Sequence, residues 1–169
     1  LTLERVDKVG LINMPLLYER WVLLQIIMVL KEVFRFTPQN DWKSQLMQAV
    51  TTNQEDIKIV LANEDAKRYI SLWYEKKLPN NKRPDFTLDL TWYPEIDSEK
   101  KEAQSKRFIL DAKFYDKNTF IKAGGMMAKI EELYTGKNYS ENNQNPVFLI
   151  HPCKTAIESQ ITPQTWGAY

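Results

Sequence analysis

Two acidic residues and a lysine, at two short strings of the chain, have the types and spacing to do chemistry. Asp85 leads the string PDFTLDLTW, and Asp111 and Lys113 close the string RFILDAKF. Strand side chains alternate between faces, so residues two apart share a face. On that period Phe86, Leu88, Leu90 and Trp92 form one row, and Asp85, Thr87, Asp89 and Thr91 the other. In the second string Phe108, Leu110, Ala112 and Phe114 form the apolar row, which leaves Asp111 and Lys113 together on the opposite face. If the two strands pair, Asp85 falls beside Asp111 and Lys113 at one end of the ladder. Carboxylate oxygens suit a hard cation, and an ammonium beside them suits a phosphate.

A third carboxylate lies upstream. Asn13 and Pro15 read as a cap and a first-turn proline, which predicts a helix from there to about Arg35, with residues 1–11 ambiguous. On a helical wheel with Glu19 at zero, Arg20, Gln25, Lys31, Glu32 and Arg35 fall between roughly 100° and 240°. Glu19 lies opposite that polar face, among Leu16, Val22, Leu23, Ile26 and Leu30. A carboxylate on the apolar side of a helix is costly unless something meets it. A metal ion or a lysine would do so, as would a buried salt bridge or a partly exposed position.

Pro84-Asp85, a spacer and Asp111-Ala112-Lys113 together resemble the PD-(D/E)xK signature of the restriction-endonuclease-like nucleases. The string LLYERWVLLQIIMVL resembles the first helix of the McrC-like branch of that superfamily, in which a Tyr-Glu-x-Trp element supplies the first acidic residue; here that residue is Glu19. The resemblance implies metal-dependent hydrolysis of phosphodiester bonds, in DNA ahead of RNA, in restriction or defence against foreign DNA. It implies Mg²⁺ or Mn²⁺ held by Glu19, Asp85, Asp111 and the backbone carbonyl of Ala112, with Glu19, Asp85, Asp111 and Lys113 as the catalytic set. It also implies an NTPase translocase as partner. The Gln-x-x-x-Tyr motif that some relatives carry after the lysine strand is missing. A silent nuclease fold that only binds nucleic acid or a protein is the alternative.

The remaining residues bound these readings. A chain of 169 residues, 43% hydrophobic, can build one domain with a real core. The net charge of +1 neither requires nor excludes nucleic acid. One cysteine, Cys153, rules out an internal disulfide and fits a reducing, cytoplasmic setting. The apolar run near the start is interrupted by Glu19, Arg20 and Gln25 and is too polar for a membrane span. The chain opens on Leu1, which fits a domain excised from a longer protein.

Asp41–Val50 reads as a short helix with Trp42, Leu46 and Ala49 or Val50 inward. The segments 57–62 and 69–75 read as an antiparallel pair of strands. Lys76, Lys77, Lys82 and Arg83 then cluster ahead of Asp85, as either a solvated hairpin tip or a phosphate-facing lip. Residues 94–105 read as a charged surface loop. Asp89 stands about 13 Å along the strand from Asp85, and Asp116 falls on the other face from Asp111; both are set aside as ligands. A helix over residues 119–136 would align Ile121, Met127, Ile130 and Tyr134, and residues 146–151 read as a further strand ending at His151. No Ser, Cys or second His supports His151 as a catalyst. The fold expected is α/β: one domain over residues 1–169, with a mixed sheet of four or five strands flanked by helices.

Overall fold

The computed structural model describes residues 3–39, 41–51, 55–93 and 102–153. In chain order the elements are α1 (Leu3–Glu32), β1 (Thr37–Pro38), α2 (Trp42–Thr51), β2 (Ile57–Asn63), β3 (Arg68–Tyr74), β4 (Phe86–Trp92), β5 (Gln104–Ala112), α3 (Lys117–Lys122), α4 (Met126–Glu131), a π-helical turn (Glu132–Gly136) and β6 (Val147–Ile150). This is the expected α/β architecture with one strand more. The addition is β1, two residues in a stretch read as a turn, which pair with Leu61 and Ala62 on the edge of β2.

The sheet runs β1-β2-β3-β4-β5-β6, so every strand lies beside its neighbour in sequence. All pairs are antiparallel except β5 with β6, which is parallel and needs the crossover that α3, α4 and the π turn provide. One face of the sheet packs Ile59, Leu61, Leu72 and Phe86 against Val22, Leu23, Ile27 and Leu30 of α1. The other face buries Ile109 and Val147 against Leu78, Leu133 and Tyr139. The end of β5 that carries Asp111 is thus buried from both faces, through Ile109 on one and Ala112 on the other.

Three expectations are corrected. The first helix begins at Leu3, so Asn13 and Pro15 lie inside it; a 30-residue helix absorbs the one hydrogen bond that a proline cannot make. The face of α1 opposite Glu19 points to solvent, yet it is not polar throughout: Leu17, Trp21, Leu24 and Met28 are exposed there beside the charged residues. The helix expected over 119–136 is broken in two. Gly124 and Gly125 both sit at positive φ, 84° and 93°, where glycine is favoured. The break resets the helical phase, so Phe120, Met126 and Leu133 are buried, while Ile121 and Met127 face solvent.

Candidate active site

Strand register assembles the acidic patch. Phe86 pairs with Leu110 across β4 and β5, so one step further along brings Asp85 opposite Asp111. A carboxylate oxygen of Asp85 accepts a hydrogen bond from the Ala112 backbone N–H at 2.6 Å. The β5 strand ends at Ala112, and Lys113 follows with its N–H bonded to the Ile150 carbonyl of β6 at 2.8 Å. That bond fixes the backbone of Lys113 so that its ammonium turns back over the patch. Lys113 Nζ ion-pairs with Asp111 Oδ1 and stands 3.6 Å from Asp85 Oδ2, and it donates to the Ala112 carbonyl at 3.2 Å.

Glu19 arrives from α1 and shares a hydrogen bond with Asp85. Burial, together with the Asp85 charge, pushes its carboxyl up to about 9, so Glu19 carries a proton at neutral pH. Burial and the charge of Asp85 also raise Asp111 above the usual carboxylate range. For Lys113 burial pulls downward, but Asp85 and Asp111 outweigh it and hold the ammonium charged. One cation thus serves three acidic groups. A fourth, Glu75, packs near enough for burial, Glu55 and Asp85 to raise its own pKa.

This donor set fits a divalent cation. Asp85, Asp111 and the Ala112 carbonyl offer hard oxygens at one point, and the side chain of Asp111 is only 1% exposed, with the Lys113 ammonium as its one counter-charge at contact distance among the described residues. Among the described residues no three His, Cys, Asp or Glu groups converge as a ready-made cation cage. Mg²⁺ seldom needs one, since it is usually held by one or two carboxylates and keeps several waters. Glu19 then joins through its bond to Asp85.

The other acidic residues have structural partners. Asp89 pairs with Lys76 at 2.7 Å and Arg107 at 2.6 Å. Burial opposes its charge, yet those bonds hold its carboxyl below the usual range. Asp116 caps α3 by accepting from the Thr119 N–H. His151 accepts from the Cys153 N–H and stands edge-on to Phe120, with burial lowering its pKa. Cys153 donates to the Tyr115 carbonyl. The two meet through the Cys153 backbone N–H, while the thiol itself is turned to the Tyr115 carbonyl.

The basic cluster divides. Arg83 pairs with Glu55 at 2.7 Å and Asp56 at 3.1 Å, and Lys76 is bound to Asp89 and lies over the Trp73 ring. Lys77 and Lys82 are exposed. A concavity of about 740 Å³ lies elsewhere, between α1, β5 and β6, and its lining of Tyr18, Trp21, Ile26, Leu110 and Ile150 is apolar. It holds none of the carboxylates, and the chemistry lies with the charged groups. Sequence reading missed Glu75, Lys137 and Tyr139, all close to the patch. No spacing rule brings them there; they arrive through the loop before β4 and the turn after the π helix.

Residues 16–167 match the PD-(D/E)XK nuclease superfamily. The chain belongs to this superfamily. Its members generally use divalent metal ions, in keeping with the donor set above. The chain is also similar to a protein from Klebsiella sp named pyrethroid hydrolase, with 45% identity over 167 residues, 99% of this chain and 26% of that protein. The domain therefore spans about a quarter of that relative's length. No solved structure matches it. No helix among the described residues is long and apolar enough to cross a membrane.

Proposed function

We propose that this domain is a Mg²⁺- or Mn²⁺-dependent nuclease that cleaves DNA, of the McrC-like branch and engaged in defence against foreign DNA with an NTPase translocase as partner. The observation that carries the reading is the opposition of Asp85 and Asp111 across β4 and β5, with Lys113 reaching both. Asp85, Asp111 and the Ala112 carbonyl would hold the ion, with Glu19 steadying Asp85. A bound divalent cation supplies charge stabilisation to the phosphate and makes hydroxide accessible near neutral pH. The protein's own part is positional. The Ala112 N–H fixes the Asp85 carboxylate, and Lys113 offers an ammonium to the negative charge that develops on phosphorus. Glu19 is poised to give up its proton as the site fills.

Ester hydrolysis is the second reading, motivated by the printed name of the Klebsiella relative. Nucleophilic ester cleavage needs an activated Ser or Cys beside a base, and His151 and Cys153 are both committed to backbone partners. The two readings separate in one experiment: linear and circular DNA, and a pyrethroid ester, each incubated with the domain and Mn²⁺ or chelator. Metal-dependent cleavage of DNA without ester turnover is the expected result, and turnover of the ester alone would overturn it.

Substrate contact outside the patch is assigned to Lys77 and Lys82, the exposed members of the basic cluster, with Lys76 and Arg83 shaping the lip. Replacing both Lys77 and Lys82 by Ala is expected to weaken binding to all DNA sequences alike and to reduce the salt slope by about two. A slope equal to wild type would return the cluster to the role of a solvated hairpin tip.

A further inference from the structure

The patch has a second lysine nearby, Lys137, that makes no ion pair among the described residues. Lys137 follows the π turn, and its backbone N–H closes onto the Glu132 carbonyl at 2.7 Å. Asn80, in the loop leading to Asp85, donates to the Lys137 carbonyl at 3.4 Å and the Asn138 carbonyl at 2.9 Å. Tyr139 is buried and donates its hydroxyl to the Arg83 carbonyl at 3.0 Å, two residues before Asp85. The turn and the loop before β4 are thus tied to one another at three points. Between them stands the Tyr139 ring, close enough to Asp85 and Asp111 that burial and those two charges raise its pKa.

Lys137 Nζ lies over that ring, 5.4 Å from its centroid. The contact is a cation–π seat, which holds an ammonium in place without neutralising it. Among the described residues Lys137 makes no ion pair, whereas Lys113 pairs with two carboxylates and Lys129 pairs with Glu132. Its charge is nevertheless felt at Asp111 and at Glu132, where it favours the ionised carboxylates. A half-buried, positioned and unpaired ammonium beside an acidic cluster has surplus positive charge to offer an anion.

We infer that Lys137, seated on the Tyr139 ring beside Asp85 and Asp111, binds a non-bridging oxygen of the phosphate presented to the carboxylate patch. The inference rests on the nuclease reading and adds a substrate-binding residue to it. Lys113 meets the carboxylates and the charge that develops in the transition state, and Lys137 adds a second ammonium for the bound phosphate. The Asn80 bonds would keep Lys137 in register with the loop that carries Asp85.

The test compares wild type with Lys137→Gln and Lys137→Arg, because glutamine keeps a polar stem over the ring and the backbone anchors of the turn. Cleavage of a DNA duplex with Mn²⁺, duplex binding across a salt series, and the Mn²⁺-induced shift in Tm are measured together. Lys137→Gln is expected to raise KM about tenfold to a hundredfold, to lower the salt slope by about one and to keep the Mn²⁺ shift. Lys137→Arg is expected to restore most of the binding. A wild-type KM and salt slope in Lys137→Gln would overturn the assignment while leaving the nuclease reading in place. A wild-type domain that neither binds nor cleaves DNA would bring down both.

Discussion

Lys113→Ala is expected to cut metal-dependent DNA cleavage by at least about a thousandfold, equivalent to roughly 4 kcal/mol of transition-state stabilisation. The size follows from its place. Among the described residues Lys113 is the one cation that touches Asp111, Asp85 and the Ala112 carbonyl together. Its loss removes the charge facing the phosphate and leaves the carboxylates to repel each other. Glu19→Ala, Asp85→Ala and Asp111→Ala are expected to be as damaging, since each removes a donor or the partner that holds one. Lys113→Met, which keeps the buried stem, separates lost chemistry from lost packing, and melting in Mn²⁺ shows which proteins are folded. His151→Ala is expected to retain most of the activity, because its partners are the Phe120 ring and the Cys153 N–H. Asp89→Ala is expected to lose stability, with Lys76 unpaired and Arg107 left with Glu141 alone of its two carboxylates, and yet to cleave when folded. Wild-type cleavage by Asp111→Ala would end the site assignment.

Glu19→Gln is expected to flatten the dependence of stability on pH. Glu19 ordinarily titrates near 4.5 and is pushed up to about 9 in the fold by burial and by Asp85. Between those values the folded protein holds a proton that the unfolded chain has released. Stability must therefore fall as pH rises through that window, and it is greatest below it. Asp89, held below its usual range, acts in a separate window and loses its contribution as pH falls towards acid. Glutamine imitates the protonated carboxyl at every pH. The variant should match wild type near pH 4.5 and melt higher near pH 9, by on the order of 5 °C for a domain of this size. Excess Mn²⁺ should stabilise wild type increasingly as pH rises, because the ion displaces the proton and binds only the folded state. Parallel melting curves for wild type and Glu19→Gln from pH 5 to 9 would show that Glu19 carries no such proton.

The acidic patch was legible because it depends on a period of two. Alternation placed Asp85 opposite Asp111 and Lys113 beside it, and the register of β4 against β5 does the same. The anomaly at Glu19 was legible as a carboxylate among apolar residues, although its bond to Asp85 required knowing how α1 crosses the sheet. The fate of the basic cluster was not legible. Glu55 and Asp56 capture Arg83 from nearly thirty residues away, and Asp89 captures Lys76 across the hairpin. Nor were Lys137 and Tyr139, which reach the patch through an irregular turn with no hydrophobic period. The apolar positions of α1 exposed to solvent defeat a wheel in principle, since hydropathy alone cannot say which of two apolar stripes meets the sheet.

The register of β4 and β5 also governs how the domain can change over generations. Asp85 and Asp111 stand opposite one another because Phe86, Leu88 and Leu90 must meet Leu110, Phe108 and Lys106 across the ladder. A slip of one residue would turn one strand's apolar row outward, so register is held by burial and not by the connection between the strands. Doubling the length of that connection costs only about 0.6 kcal/mol of closure entropy. Insertions and deletions between Tyr93 and Gln104 can therefore accumulate while the two carboxylates keep their alignment. The hairpin separates the part of the sequence free to drift from the part that must hold still.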